Sequence, residues 1–225
     1  SRVVATLSTA IKNKTLLEFA DAIEENSCFI IEENIKDMKL ARELDLSSAM
    51  QDRLYLNDSR IQDMANAIRQ IASQTEPVGR VLDGWLTKDN LNIQKVSIPI
   101  GVIAIIYESR PNVTSDTAAL CFKSGNVCVL KGGKEAENSN RAIAKIIQDV
   151  LEKNNLPKEI VSLLPDSSRE GVAKLIVEDK YVDLIVPRGG EALIKFITQN
   201  SSIPVIKHDK GVCHTFIDKD ANATK

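Results

Sequence analysis

The amino-acid sequence predicts an α/β protein built on an open parallel sheet, and three observations support that fold class. Short apolar runs rich in β-branched residues alternate with helical segments in the second half of the chain. The clearest case is a βαβ unit in which strands at residues 101–106 and 127–130 flank a helix at residues 112–123. Polar, glycine-rich corners follow the predicted strands, at the edge where open parallel sheets bind ligands.

The first part of the chain is predicted to be a helical prelude. Apolar residues recur at helical spacing over residues 14–39, and a second amphipathic segment covers residues 59–73. Ser59 or Asp58 is the predicted N-cap of the second segment. Because no strand pattern follows either segment, we expect these helices to cover the core.

A turn-rich crossing is predicted between the prelude and the βαβ unit. Residues 76–90 contain several turn formers and the single tryptophan, Trp85. Residues 91–98 alternate apolar and polar side chains with one shift of phase, which predicts a half-exposed strand. Such a strand is able to pair with another part of the protein or with another subunit.

After the βαβ unit the alternation of helices and strands continues, which indicates right-handed crossovers on a parallel sheet. The predicted elements are a helix at 138–153, a strand at 160–164, a helix at 168–177, a strand at 182–186, a helix at 191–199, and apolar runs at 203–206 and 215–217.

Composition excludes several functional classes for these 225 residues. Lys and Arg total 29 against 31 Asp and Glu, so a basic field for nucleic acid is absent from the sequence. No apolar run approaches the roughly 20 residues that span a bilayer, and we expect a cytoplasmic protein without a membrane partner. Because the chain starts at Ser1 rather than Met and stops at Lys225, within a predicted helix opening, we expect a longer protein.

The cysteines and histidines show no metal-ligand spacing and no CxxC pair, so we predict no metal site. Buried, reduced thiols are the simplest interpretation of most of the cysteines. The residues concerned are Cys28, Cys121, Cys128, Cys213, His208 and His214.

Three corners carry candidate binding chemistry, although no strand is followed by a GxGxxG fingerprint. Residues 131–134 combine two glycines with two lysines, which suits a phosphate or is an ordinary turn with solvated lysines. Residues 188–190 precede a helix and combine an arginine with two glycines, which suits an anion or is a simple N-terminal turn. Asn112 is a candidate oxyanion donor or an ordinary helix cap.

Four segments together resemble the gamma-glutamyl phosphate reductases, also called glutamate-5-semialdehyde dehydrogenases, within the aldehyde dehydrogenase superfamily. They are IPIGVIAIIYESRPNVT, SGNVCVLKGGKEAENSN, IVPRGG and GVCHTFID. The resemblance covers nearly the whole chain. It implies a Rossmann-like sheet of the aldehyde dehydrogenase type, with the helical prelude at 1–98, an NADP-binding domain at 99–212, and the start of a catalytic domain at 213–225 whose remainder lies beyond Lys225.

The resemblance also implies an activity and its partners. Members of this family reduce L-glutamyl 5-phosphate to L-glutamate 5-semialdehyde with NADPH and release phosphate, in proline biosynthesis. A homo-oligomer and a functional link to glutamate 5-kinase are expected on the same basis. The alternatives are another aldehyde or acyl-CoA reductase of this fold, or a nucleotide-binding fragment without catalysis.

Site residues follow from the resemblance position by position. Asn112 matches the oxyanion asparagine of the superfamily, and Lys131 matches a strand-end lysine that contacts the adenosine ribose. Lys134 stands where many NAD-using relatives have an acidic residue, and a cation there favours a 2′-phosphate, hence NADPH or NADP. The implied cofactor-binding positions are Lys131, Gly133, Lys134, Arg188, Gly189 and Gly190.

The nucleophile is expected outside this chain. By the family pattern a catalytic cysteine follows Lys225, so Cys213 is interpreted as a structural thiol despite the neighbouring His214. Hydrolytic relatives carry a glutamate in an ELGGK segment, and the comparable run here reads KHDKGVCH, with His208 near the glutamate position. A reductase does not need the water that this glutamate activates.

Overall fold

Five helices open the chain in the computed structural model, which describes residues 1–166, 168–207, 214–216, 218–219 and 221. The elements of this region are α1 (Arg2–Ala5), α2 (Thr9–Glu25), α3 (Ser27–Glu43), α4 (Ser48–Leu54), α5 (Asp58–Ser73), β1 (Val81–Leu86) and β2 (Asn92–Val96). None of the described helices combines the length and hydropathy that a membrane crossing requires.

Two details of the helical prelude differ from the sequence prediction. The segment at 14–39 is two helices rather than one, because the chain turns at Asn26, whose side-chain amide donates to the Ala22 carbonyl oxygen at 2.8 Å and completes the end of α2. The N-cap of α5 is Asn57, not Asp58 or Ser59. Its side-chain oxygen accepts the Arg60 N–H at 2.9 Å, and Asp58 lies in the first turn.

The crossing contains a strand that the sequence prediction missed. β1 and β2 form an antiparallel two-stranded hairpin, and every residue of both strands is exposed, so β2 is not half-buried as predicted. The missing signal has a physical cause, since a strand with no buried face needs no alternation of apolar and polar residues. Gly84 lies within β1, where an added Cβ would meet the Ile93 carbonyl oxygen at 3.3 Å.

The central sheet follows the hairpin and has four parallel strands in the order β5-β4-β3-β6. Its strands and their helices are β3 (Val102–Tyr107), α6 (Asn112–Lys123), β4 (Val127–Lys131), α7 (Glu137–Lys153), β5 (Val161–Leu163), α8 (Arg169–Leu175), β6 (Leu184–Arg188) and α9 (Glu191–Asn200). This arrangement confirms the predicted open parallel sheet. The chain moves outward from β3 to β5 and then returns to the other side of β3, so strand order reverses between β3 and β6.

One strand boundary matters for the site. β6 ends at Arg188, two residues later than predicted, and begins at Leu184 rather than at 182. Its start is set by Asp183, whose carboxylate accepts the Val102 N–H at 2.8 Å and whose own N–H donates to the Val102 carbonyl oxygen at 2.9 Å. The later run at 203–206 contributes a single parallel bridge, from Val205 to Ile185.

Buried side chains pack on both faces of the sheet. On one face the core is continuous with the helical prelude, and the rings of Phe19 in α2 and Phe122 in α6 lie 5.5 Å apart between centroids. On the other face, Ile106 and Ile185 pack with Val172 of α8 and Ile197 of α9. The prelude is therefore part of the same core as the sheet.

A buried carboxylate joins the prelude to the start of α7. Asp37 in α3 is fully buried, and one of its oxygens accepts the Asn138 backbone N–H at 3.1 Å and the Asn138 side-chain amide at 2.8 Å. The other oxygen accepts the Ser139 N–H at 2.8 Å and the Ser139 hydroxyl at 2.6 Å. An acceptor from a distant helix thus fills the capping role at this N-terminus, where negative charge is favourable.

A buried amide extends this network to α4. Asn34 donates to the Leu54 carbonyl oxygen at 2.8 Å and to the Ser139 hydroxyl oxygen at 3.0 Å, and its own oxygen accepts the Leu56 N–H at 2.8 Å. All three hydrogen bonds of Asn34 are buried. The position of α7 therefore depends on α3 and on the end of α4 together.

Replacing Asp37 with Asn is expected to lower the free energy of unfolding of the intact protein by about 3 kcal/mol, because the neutral amide cannot accept four donors. Urea unfolding followed by far-UV circular dichroism measures the change. The matched control is Asp149→Asn on the exposed face of α7, where the carboxylate pairs with Lys145 in solvent and little change is expected. Equal stability of the two variants would contradict the capping role of Asp37.

Candidate functional site at the carboxyl edge of the sheet

The parallel register brings the predicted corners to one edge. Ile106 of β3 pairs with Lys131 of β4, and Tyr107 of β3 pairs with Arg188 of β6. The lysine corner and the arginine corner therefore flank the end of β3 on opposite sides. The loop that follows β3, residues 108–111, lies between them.

A crevice opens at the position where the strand order reverses. Its volume is about 420 Å³, and helix α4 contributes part of its wall. Open α/β sheets bind ligands at this point of the fold. The lining residues are Met50, Arg53, Tyr107, Glu108, Ser109, Arg110, Val113, Arg188, Gly189 and Gly190.

The N-terminus of α9 holds a carboxylate from the chain itself. The Gly190 N–H donates to Glu108 Oε2 at 3.1 Å, so one of the amides that was predicted to face an anion is occupied by Glu108. A Cβ at Gly189 would lie 2.8 Å from the Glu108 carboxyl carbon and 2.9 Å from Leu193 Cδ2. The close approach of Glu108 is thus one reason why glycine occupies position 189. Arg188 is exposed at the strand end.

The corner after β4 presents two cations with different surroundings. Lys131 is half-buried, and burial lowers the pKa of its ammonium, an effect that Glu135 partly offsets. Lys134 is exposed at the start of a short 3₁₀ turn, Lys134–Ala136. Gly133 packs against the Glu135 carboxylate, which also accepts the Ser109 hydroxyl at 2.5 Å. This bond ties the corner after β4 to the loop after β3.

A second buried chain of hydrogen bonds runs beneath the two corners. Thr114 in the first turn of α6 donates to Asn140 Oδ1 at 2.9 Å, and the Tyr107 hydroxyl lies 2.7 Å from the Thr114 hydroxyl oxygen and donates to it. Burial raises the pKa of Tyr107, which keeps the phenol neutral and able to donate. The end of β3, the start of α6 and the start of α7 are therefore held in fixed positions.

Asn112 faces a different cavity from the one lined by Arg188, Gly189 and Gly190. It is the first residue of α6 and makes no capping bond; its amide nitrogen instead donates to Asp116 Oδ2 at 3.1 Å. The cavity beside it has a volume of about 280 Å³. Arg53 lines both cavities, and the consecutive residues Asn112 and Val113 line one each.

Asp116 has an environment that is unusual for a carboxylate. Burial raises its pKa, and the hydrogen bond from Asn112 offsets only part of that effect. Its second oxygen, Oδ1, is buried and has no hydrogen-bond partner in the described part of the chain. A buried acceptor without a partner is costly, and among the residues that line this cavity Asp116 is the described one with such an atom.

Several residues of the edge were missed by the sequence prediction. The sequence motifs at these corners were interpreted through other residues, so the roles of Glu108, Ser109 and Glu135 were not predicted. Ser109 bonds to Glu135, 26 residues away, and Glu108 bonds to Gly190, 82 residues away, and neither pairing is visible in the sequence. The pairing of Asp116 with Asn112 could have been predicted, because residues four apart on a helix lie on the same face. His208 and Cys213 lie outside the described residues.

Comparison with known proteins defines the family. A family model described as "Aldehyde dehydrogenase family" matches residues 2–225. The chain therefore belongs to the aldehyde dehydrogenase family, and the predicted type of fold is confirmed.

Within that family the chain is similar to gamma-glutamyl phosphate reductases, which confirms the resemblance. The reductase of Aliarcobacter butzleri is 73% identical over the whole chain, which covers 55% of that protein. The crystal structure of the reductase from Thermotoga maritima superposes with a TM-score of 0.92 at 39% identity, over 99% of this chain and 54% of that one. The reductase from Saccharomyces cerevisiae gives a TM-score of 0.84 at 34% identity, over 99% and 57%. The chain spans about half the length of the curated relatives that it matches.

Replacing Thr114 with Val keeps the shape of the side chain and removes the hydroxyl that joins Tyr107 to Asn140. We expect a loss of about 2 kcal/mol in the free energy of unfolding of the intact protein, because two buried groups lose their partner. The control is Thr117→Val, one turn further along α6, where the hydroxyl bonds only to the backbone of its own helix. Chemical denaturation compares the two, and a smaller loss for Thr114→Val than for Thr117→Val would refute the role of the network.

Proposed function

We propose that the intact protein catalyses the NADPH-dependent reduction of L-glutamyl 5-phosphate to L-glutamate 5-semialdehyde, with release of phosphate, in proline biosynthesis. The names of its relatives support this substrate class. The structural observation that carries the proposal is the corner after β3. There Asn112 lines the smaller cavity, and the next residue, Val113, lines the crevice at the reversal of strand order. An acyl group in the smaller cavity and a nicotinamide ring in the crevice would therefore be able to meet at the first turn of α6.

The cations of the edge suit a phosphorylated dinucleotide. The half-buried Lys131 ammonium pairs with no carboxylate in a salt bridge among the described residues, and a phosphate or ribose oxygen beside it would offset its desolvation. Lys134, Arg188 and the glycines at 133, 189 and 190 complete the proposed cofactor-binding set, in which Gly190 would contribute its bare backbone because its N–H is held by Glu108. A bound NADPH supplies the hydride for the reduction.

The choice of NADPH over NADH is attributed to Lys134. Its exposed ammonium is free of a carboxylate bond in the described part of the chain and attracts a 2′-phosphate. An acidic residue at this position would instead accept a ribose hydroxyl and repel that phosphate.

The acyl chemistry assigns a role to Asn112. A cysteine thiolate, which we place beyond Lys225, attacks the acyl carbon; the carbon–oxygen bond to phosphate breaks and phosphate leaves. Hydride transfer to the resulting thioester carbonyl gives a tetrahedral oxyanion, which collapses as the carbon–sulfur bond breaks, so that aldehyde and thiolate are released. The Asn112 amide has a second N–H that remains available to this oxyanion while the first is held by Asp116.

The proposed reaction is tested with the intact protein in reverse. L-Glutamate 5-semialdehyde, phosphate and NADP⁺ are expected to give NADPH, measured at 340 nm, with a rate that depends on phosphate. A panel of aldehydes with phosphate or coenzyme A distinguishes another reductase of the same fold. Turnover of coenzyme A without phosphate, or no turnover at all, would disprove the proposal.

Replacing Lys134 with Glu is expected to weaken NADPH binding by roughly 10- to 100-fold, because one charge-assisted contact to the 2′-phosphate becomes a repulsion. NADH binding is expected to change little. Quenching of protein fluorescence during titration with each cofactor measures both constants, with Lys39→Glu on the exposed face of α3 as the charge-matched control. Equal losses for NADPH and NADH would remove Lys134 from cofactor selection.

We also propose that the protein is a cytoplasmic homo-oligomer that uses the β1–β2 hairpin as a contact. Both strands of the hairpin are exposed, and an isolated two-stranded hairpin is only marginally stable in water. Its exposed side chains include Val81, Leu82, Trp85, Leu86 and Ile93. Glutamate 5-kinase is the proposed functional partner, since a labile acyl phosphate benefits from rapid consumption.

Replacing Trp85 with Lys is expected to shift the intact protein toward monomer, because the charge must be desolvated in an apolar contact. Sedimentation velocity measures the mass distribution. Val177→Lys is the control, since Val177 is also half-exposed (51%, as is Trp85) but lies outside the hairpin. The proposal fails if the wild type is monomeric or if both variants keep the wild-type mass.

A further inference from the structure

The cavity beside Asn112 is lined by groups of both charges. Arg53 and Arg60 come from α4 and α5, and Asp63 and Asp116 come from α5 and α6. Leu56, Met64 and Ala67 add an apolar wall. A ligand that matches this lining carries a positive and a negative group on a short aliphatic chain.

The two arginines differ in their availability. Arg60 is already held, since its guanidinium donates to Asp52 Oδ1 at 2.7 Å and to the Tyr55 carbonyl oxygen at 2.8 Å, and it lies over the Tyr55 ring. Within the described part of the chain, the Arg53 guanidinium makes no hydrogen bond or ion pair. Arg53 is therefore the cation of this cavity that is able to bind a carboxylate bidentately.

The two aspartates differ as well. Asp63 is exposed, whereas Asp116 keeps one oxygen bonded to Asn112 and leaves its buried Oδ1 without a partner in the described residues. An ammonium group of a ligand in the cavity would supply the opposite charge that this carboxylate lacks. The burial that raises the Asp116 pKa is consistent with a site completed by a cation.

We propose that this cavity binds the α-amino acid end of the substrate, with its ammonium on Asp116 and its carboxylate on Arg53. The inference rests on the proposed function, because the acyl group of a glutamyl substrate would then extend toward Asn112. Asp116 and Asn112 are four residues apart on α6, so one helix face holds the amino group and the reacting carbonyl at a fixed separation. Substrates without an α-amino group lose the Asp116 contact.

The test compares two aldehydes with the intact protein: L-glutamate 5-semialdehyde, scaled to its open-chain concentration, and 5-oxopentanoate, which lacks the amino group. In the wild type the amino-bearing aldehyde is expected to have the higher kcat/KM by roughly 10- to 100-fold, the range for one charge-assisted hydrogen bond. In Asp116→Asn that preference is expected to disappear through a higher KM, since the new amide oxygen still accepts from Asn112. Arg53→Gln is expected to raise KM for both aldehydes.

Control variants and the opposite outcomes complete the design. Asp149→Asn, far from the cavity on α7, is expected to keep both kcat/KM values. If Asp116→Asn lowers kcat equally for both aldehydes and keeps the preference, Asp116 only positions Asn112 and the ammonium assignment is wrong. If Arg53→Gln leaves both KM values unchanged, the carboxylate assignment is wrong. Thermal melting checks that each variant is folded.

A binding measurement separates this inference from the proposed reaction. If the wild type turns over neither aldehyde, the proposed function fails, and calorimetric titration with L-glutamate and with glutarate then tests the cavity alone. Tighter binding of L-glutamate that is lost in Asp116→Asn supports the subsite. Equal binding of the two acids, or absence of binding, overturns it. If Asp116→Asn does not fold, two measurements still test the subsite: the wild-type preference for the amino-bearing aldehyde and the effect of Arg53→Gln on KM.

Discussion

The buried Asp37 carboxylate is the interaction on which the geometry of the site depends. It accepts four hydrogen bonds from the first turn of α7, and the corner after β4 leads directly into that turn. Lys131 is itself the last residue of β4, but Lys134 lies between β4 and α7, so α3 helps to set where Lys134 stands relative to the sheet. The helices that the sequence presents as simple cover are thus part of the support of the candidate cofactor site.

Carboxylates bonded to neutral donors, and buried hydrogen bonds between neutral groups, organise the edge of the sheet itself. Glu108 holds the start of α9, and Glu135 holds the loop after β3, so each carboxylate joins two corners that belong to different strands. Tyr107, Thr114 and Asn140 add a neutral link below them. Among the described residues these carboxylates form no salt bridge with Lys131 or Lys134, although Glu135 partly offsets the desolvation of Lys131. A phosphorylated ligand would gain from charge-assisted bonds to such cations.

The parts of the fold that sequence could predict are those with a buried face. The βαβ unit was predicted with α6 at its observed bounds, because apolar runs and helical spacing both follow from burial. The hairpin strand β1 was missed because none of its side chains is buried, so its sequence shows no alternation. The break at Asn26 was missed because a single polar residue does not interrupt the helical spacing of the apolar residues around it. The pairings of Glu108 and Glu135 depend on tertiary contact, and only the Asn112–Asp116 spacing was visible in the sequence.

The separation of the two cavities has a consequence for the proposed reaction. A hydride donor and an aminoacyl group must approach one carbon from different directions, and a single pocket would let them compete for the same space. Here the first turn of α6 is the divider, with Val113 turned to the crevice and Asn112 to the smaller cavity. Thr114 ties this turn to β3 and α7 and so keeps the two cavities apart; in the proposed reaction the acyl carbonyl would lie at that turn, beside the Asn112 amide.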